Sequence, residues 1–451
     1  MTEGSFIKPR DRDAVIQSLR AGVVPRRGQH LIQVGRVQEV KALLADIGRV
    51  ADGGSAIRLV IGDYGSGKTF FLNLVRSIAL EKKIVTAHAD LSPERRLHST
   101  GGHARSLFAE LMRNLSTRTK PDGGAMPSVI ERFVTSAMEE ASLQKSSPES
   151  VIHGRLQQLS EMVGGYDFAQ VVAAYWRGHD TGNEVLKNDA IRWLRGEFTT
   201  RTDAKRALGV RTIIDDESFY DHLKLMALFT RLAGYAGLLV CLDEMVNLYK
   251  LASTQARTSN YEQILRILND SLQGVACGVG FVLGGTPDFL SDPRRGLFSY
   301  GALQGRLAEN SFAVDGRTDM TGPVVRLGSL QPEDLYLLLG KVRLVFAGGD
   351  SSRYLVPDDA LRAFMEHCSK RIGEAYFRTP RTTIKEWVNL LAVMEQNPSV
   401  KWQDLVGAVH VAQESNPDLA PLESEQRPLD GTVPGSTTPG TSDDDLTAFK
   451  L

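Results

Sequence analysis

The sequence predicts an α/β fold: a parallel sheet carrying a phosphate-binding loop, split by a large helical insertion and followed by a small C-terminal helical lid. Three observations predict it. Gly62-Asp63-Tyr64-Gly65-Ser66-Gly67-Lys68-Thr69 satisfies G-x-x-x-x-G-K-[ST] in full, with an apolar strand before it and an apolar helix after it. Strand and helix patterns alternate across residues 57–89, as crossover helices between parallel strands require. Between Lys68 and Asp243 lie about 170 residues, far more than one crossover needs, and within them 104–235 read as a mostly helical insertion.

The elements follow in order. Residues 1–30 form a polar, Arg-rich N-terminal arm (Arg10, Arg12, Arg20, Arg26, Arg27) around the short helical pattern Val15-Ile16-x-x-Leu19. Val40, Leu43, Leu44 and Ile47 recur at helical spacing, and Gly53-Gly54 ends that helix. Ile57–Ile61 is rich in β-branched residues and reads as a strand. A helix from Phe70 to Leu80 and a second strand, Ile84–Ala89, come next. In the insertion, residues 104–235, Ile130, Phe133, Val134, Ala137, Met138 and Ala141 keep helical period, as do Leu156, Leu159, Met162 and Val163. Strands resume at Leu238–Leu242, Gly280–Leu283 and Pro323–Leu327, which closes a core of residues 31–330. Helical periods over 333–411, broken near Gly348-Gly349 and Gly373, define the lid, residues 331–413. From 414 to 451 the chain carries five prolines (417, 421, 428, 434, 439) among Gly, Ser, Thr and acids. Such a stretch buries too little apolar surface to order itself. Its end, Leu446-x-x-Phe449-x-Leu451, has the pattern of a tethered docking peptide or a frayed tail.

Composition narrows the class. The chain has 451 residues, 42% hydrophobic and 24% charged, with 53 basic and 54 acidic side chains. The net charge of −1 excludes a globally basic protein held to nucleic acid by its bulk field, though not a local basic face. Cys241, Cys277 and Cys368 are far apart, without CxxC, which argues against a disulfide scaffold or zinc module and fits a reducing cytosol. No apolar run approaches the roughly 18–20 residues of a membrane span, and Met1–Ser5 lacks an apolar signal core. A cytoplasmic protein without a membrane partner is expected.

The chemistry lies in two short motifs. Glycines let backbone amides turn inward around phosphates, and the following helix N-terminus adds its positive dipole end. Lys68 places a charge on the β/γ-phosphates and Thr69 supplies a hydroxyl to Mg²⁺. Asp243-Glu244, directly after an apolar strand, complements them: Asp243 holds the Mg²⁺ shell through water and Glu244 orients and deprotonates the attacking water. Paired acids there favour hydrolysis of ATP over transfer to a small molecule.

Val34-Gly35-Arg36-x-x-Glu39 before a helix resembles the opening segment of AAA+ ATPases of the origin-recognition and signalling (STAND) kind, where it packs beside the adenine. Phe281–Pro287 resembles their sensor-1 strand, with Thr286 at the polar tip. Ala302–Leu307 resembles the segment bearing a trans-acting arginine finger, Arg306, with Arg294 and Arg295 as alternatives. Tyr376–Arg381 resembles sensor 2, with Arg381 ahead of Arg378. The phrases Asp90–His98, Asp189–Glu197 and Gly234–Val240 extend the resemblance, over most of residues 6–411 and 443–451, to the BrxD-like ATP-binding proteins of bacterial BREX phage-defence systems. That resemblance implies an oligomeric ATPase working with other defence-system proteins on double-stranded DNA, directly or through partners. The alternative is a slow nucleotide-dependent switch that binds only proteins. His88, His98 and His103 lack metal-ligand spacing, and the basic clusters at Arg95-Arg96, Arg192/Arg195 and Arg201–Arg211 have interleaved acids and read as a solvated face.

Overall fold

The computed structural model describes residues 7–313, 319–328, 330–372 and 380–408. Five strands, β1 (Ser55–Ile61), β2 (Ile84–Asp90), β3 (Gly237–Asp243), β4 (Val279–Gly285) and β5 (Val324–Arg326), form one sheet in the order β2-β3-β4-β1-β5. Every pairing is parallel, so all strands end at the same edge. The expected strands are all present, most of them a residue or two longer than the sequence pattern.

Ahead of the sheet lie α1 (Pro9–Arg20), α2 (Gln29–Ile32) and α3 (Val37–Ala51); α4 (Lys68–Glu81) follows the phosphate loop. The insertion contributes α5 (His103–Arg113), α6 (Met126–Gln144), α7 (Pro148–Leu156), α8 (Gly165–Thr181), α9 (Glu184–Leu194), α10 (Arg201–Leu208) and α11 (Phe219–Leu232). Their starts are written locally: Ser147, Asn183 and Thr200 each accept a hydrogen bond from the amide three residues on. After β3 come α12 (Val246–Tyr249) and α13 (Thr254–Leu272); after β4 come α14 (Pro287–Ser291) and α15 (Gly301–Leu307). The C-terminal helices are α16 (Pro332–Phe346), α17 (Asp358–Ile372), α18 (Pro380–Gln396) and α19 (Trp402–Ala408).

Alternation along the strands assigns a cover to each face. Ala56, Val60, Leu239, Cys241 and Val282 face α3 and α4. Ile57, Leu59, Ile61, Val240, Phe281 and Leu283 face the other way, into one continuous core with Phe108, Phe133, Phe168, Trp193 and Phe229 of the insertion. The insertion therefore shares one of the two layers on the sheet with α13, whose Tyr261, Ile264 and Leu268 join the same core. A separate core joins Val15, Leu19 and Ile32 to Leu335, Leu339, Phe364, Trp387 and Leu391. The first helix thus packs among the C-terminal ones, with Arg12 donating from Nε to the Phe346 carbonyl at 2.8 Å.

Two details differ from the sequence pattern. Met138 is exposed although its helical neighbours are buried. Residues 156–163 are not one helix: α7 ends at Leu156 in a short 3₁₀ turn, and Val163 is exposed. The reason is Gly165, where a Cβ would lie 1.7 Å from the Leu159 carbonyl oxygen; the chain folds back on itself at a distance only glycine allows. Among the described residues no helix is long and apolar enough to cross a membrane. Residues 414–451, with the docking-like peptide, and Tyr376–Thr379, with Arg378, lie outside the described residues.

Candidate functional site

The loop Gly62–Gly67 leaves β1 at the carboxyl edge and enters α4. Gly65 (φ +75°) and Gly67 (φ +88°) adopt left-handed backbone, the conformation that turns successive amides toward one centre. Gly62 is required for a different reason: a Cβ there would meet Ser66 Oγ at 2.5 Å. The amides of the first turn of α4 have no intrahelical acceptor and point toward the loop's centre with the helix dipole behind them. Lys68 Nζ donates to the carbonyls of Gly62 (2.8 Å) and Asp63 (2.9 Å), spanning the loop's mouth.

Strand order brings the acidic motif to this loop. The connection from β1 to β2 passes over β4 and β3, so α4 begins above β4 with its first turn beside the end of β3. Thr69 Oγ1 donates to Asp243 Oδ2 at 2.8 Å. Asp243 is buried and its other oxygen accepts from the Glu244 amide at 2.9 Å. Glu244 has left-handed backbone, φ +57°, and is exposed at the sheet edge. Hard oxygens at Thr69 and Asp243 suit Mg²⁺, which takes one or two protein oxygens and completes its shell with water and phosphate. Among the described residues no cluster of three or more His, Cys, Asp or Glu exists that would hold a metal by itself.

The other expected residues fall as follows. Arg36, also left-handed (φ +60°), caps the start of α3 and donates from Nη2 to the Ser66 carbonyl at 3.1 Å; burial lowers its pKa, opposed by Glu39 and Asp334. Val34 packs against the C-terminal helical core, and Gly35 lies against the Asp334 carboxylate of α16. Arg381, at the start of α18, bonds the Gly22 carbonyl and reaches the Tyr64 hydroxyl at 3.4 Å. Thr286 ends β4 at the same edge, and its hydroxyl caps α14 by accepting from Phe289 N at 3.3 Å. Arg306 is exposed on α15 and bonds Asn269 Oδ1 (2.8 Å) and the Ala302 carbonyl (2.9 Å) of its own chain. Arg95, Arg192, Arg201 and Arg206 are ion-paired with Glu110, Asp189, Asp215 and Asp203. His88 is held neutral, its pKa driven down to about 3 by burial and by Arg76 and Arg26.

Two residues emerge only in three dimensions. Asp90 ends β2 in register with Asp243; burial, then the Asp243 charge, raises its pKa. Gly284 leaves the opening that Asp243 occupies, since a Cβ there would lie 2.5 Å from Asp243 Oδ1 and 2.9 Å from Leu72 Cδ1 of α4. A glycine inside an apolar strand was the available signal for such a close approach.

A parallel α/β sheet with a Gly-rich loop, a lysine and a threonine at its carboxyl edge defines a nucleoside-triphosphate-binding protein of the phosphate-loop class. More narrowly, residues 7–410 match the model of the family described as BREX system ATP-binding protein BrxC/D, and the chain belongs to that family. It is an ATP-binding component of a BREX defence system. None of the curated proteins matches it.

Proposed function

We propose that this chain binds Mg-ATP on Gly62–Thr69 and hydrolyses it as an AAA+-type ATPase. The observation that carries this reading is the 2.8 Å hydrogen bond from Thr69 Oγ1 to Asp243 Oδ2, which joins motifs 174 positions apart into one metal-ready pair. Lys68 releases the loop carbonyls to bind phosphate, Asp243 holds the metal's water shell, and Glu244 takes a proton from the attacking water. Thr286 senses the γ-phosphate. Helices α16 to α19, within the expected lid of residues 331–413, serve as that lid, and Arg381 reaches the nucleotide from α18. Arg306 acts on the site of a neighbouring copy, so that activity requires a homo-oligomer. The conformational output drives or licenses other BREX components on double-stranded DNA. Arg95, Arg192, Arg201 and Arg206 are ion-paired within the chain, and the net charge is −1, so DNA contact falls to a local face or a central channel formed on assembly, or to partners.

One experiment tests this as a whole: ATP turnover of Arg306→Ala mixed with Lys68→Ala, with and without duplex DNA. Each variant alone is expected to be inactive, and mixing restores turnover in shared sites; no rescue in an intact assembly would refute the trans arginine. The contacts of Arg306 with Asn269 and Ala302 in its own chain favour a second reading, a slow switch in which the arginine is not delivered. Turnover that stays very slow with DNA and partners present would select it.

Gly284→Ala tests the metal-ready pair directly. The added methyl displaces the Asp243 carboxylate from Thr69, a strain of about 1–3 kcal/mol. The Mg²⁺ dependence of ATP binding, followed with a fluorescent analogue, is expected to weaken about tenfold. An unchanged Mg²⁺ dependence would show that Asp243 does not serve the metal.

A further inference from the structure

The resemblance of Val34-Gly35-Arg36 to an adenine-side segment leaves open what the arginine itself does. Its side chain is 13% exposed and turns away from solvent, with Gly35 and Arg36 both left-handed at φ +60°. Nη1 lies 3.8 Å from Glu39 Oε1 one turn into α3, and the Asp334 carboxylate closes the other side against Gly35. Beside the Glu39 carboxylate, the guanidinium donates from Nη2 to the Ser66 carbonyl at 3.1 Å.

That bond constrains a neighbouring group. In a trans peptide the carbonyl and the following amide point in opposite directions, so fixing the Ser66 carbonyl outward fixes the Gly67 amide inward. Gly67 has left-handed backbone at φ +88° with no side chain to lock it, so the Arg36 bond acts as a direct restraint on this peptide plane. Gly62 and Asp63 turn their carbonyls to Lys68, contacts that end when the lysine moves to phosphate. The Arg36 contact uses a different carbonyl of the loop, that of Ser66.

We propose that Arg36 is a positioning residue of the phosphate loop, orienting the peptide plane from the Ser66 carbonyl to the Gly67 amide for any triphosphate, regardless of its base. This deepens the ATP-site reading and rests on it. The test is calorimetric titration of the full chain with Mg²⁺ and ATP, GTP or inorganic tripolyphosphate. Arg36→Gln is expected to weaken every ligand that the wild type binds by one common factor, about tenfold, as expected for one charge-assisted hydrogen bond. Arg36→Lys keeps the charge without the planar fork and is expected to give a smaller common loss; it carries the test if Arg36→Gln does not fold. A loss confined to the nucleotides, with tripolyphosphate binding unchanged, would overturn the proposal and return Arg36 to base contact. No loss for any ligand would overturn it as well. Lys68→Ala separates the two levels: if it binds tripolyphosphate and ATP as the wild type does, the phosphate-site reading itself fails, and the Arg36 proposal with it.

Discussion

Glu244→Gln is expected to lower ATP turnover by about 10²- to 10⁴-fold, the range for removing a general base, while ATP still binds. The substitution keeps the size and shape of the side chain and removes its charge and its ability to take a proton. Binding is expected to survive because the groups proposed to hold phosphate and metal, Lys68, Thr69 and Asp243, are untouched. The backbone at this position is unusual. A non-glycine residue at φ +57° costs on the order of 1–3 kcal/mol. Here neighbours enforce it: Asp243 Oδ1 accepts from the Glu244 amide, Met245 N donates to the Gly284 carbonyl at 3.0 Å, and Asn247 N donates to the Glu244 carbonyl at 3.0 Å. Glu244→Gly relieves that strain and is expected to be equally inactive yet more stable, by about 1 kcal/mol. Single-turnover hydrolysis and equilibrium unfolding measure the two effects. Turnover at the wild-type rate in Glu244→Gln would remove Glu244 from the chemistry.

Arg58→Ala is expected to be the most destabilising single change in the nucleotide-binding core, by about 3–5 kcal/mol. Arg58 lies in the middle of β1, 5% exposed, and its guanidinium bonds both oxygens of buried Asp46 on α3 and the Gly322 carbonyl before β5. Truncation leaves Asp46 charged and buried with only Arg49, 3.6 Å away and largely exposed, as a cation. The physical cause is the orphaned carboxylate. Removing both partners with Arg58→Met and Asp46→Leu should therefore recover most of the loss, since an apolar pair avoids the desolvation penalty. Chemical denaturation compares the three proteins. If the double variant is as unstable as Arg58→Ala, the lost Gly322 contact and not the orphaned Asp46 carboxylate accounts for the destabilisation.

Much of the site could be read from residue order because it is local. The phosphate loop needs glycines at fixed offsets from Lys68 and Thr69, and the acids need only follow an apolar strand; each motif is complete within a short window. The strands were legible because β1 to β4 are buried along nearly their whole length and read as apolar runs. The insertion was legible as helix from its 3.6-residue period, but periodicity reports that a face is buried and not what buries it. Hence its role in one layer on the sheet stayed hidden. The same limit hid the packing of Val15 and Leu19 among helices that lie far along the chain, and it hid Gly284, whose meaning depends on a carboxylate in the neighbouring strand.

Residue order alone is enough for a parallel α/β protein with a triphosphate loop, an acidic strand end and a family membership carried by extended phrases. Packing in three dimensions sets which strand adjoins which, that Thr69 meets Asp243 beside Gly284, and that Arg36 grips the loop's Ser66 carbonyl. The division follows from range. Turn conformation, strand burial and helix period are fixed by neighbours along the chain. Strand order and side-chain meetings depend on which distant surfaces exclude water together, and no window of sequence contains both partners.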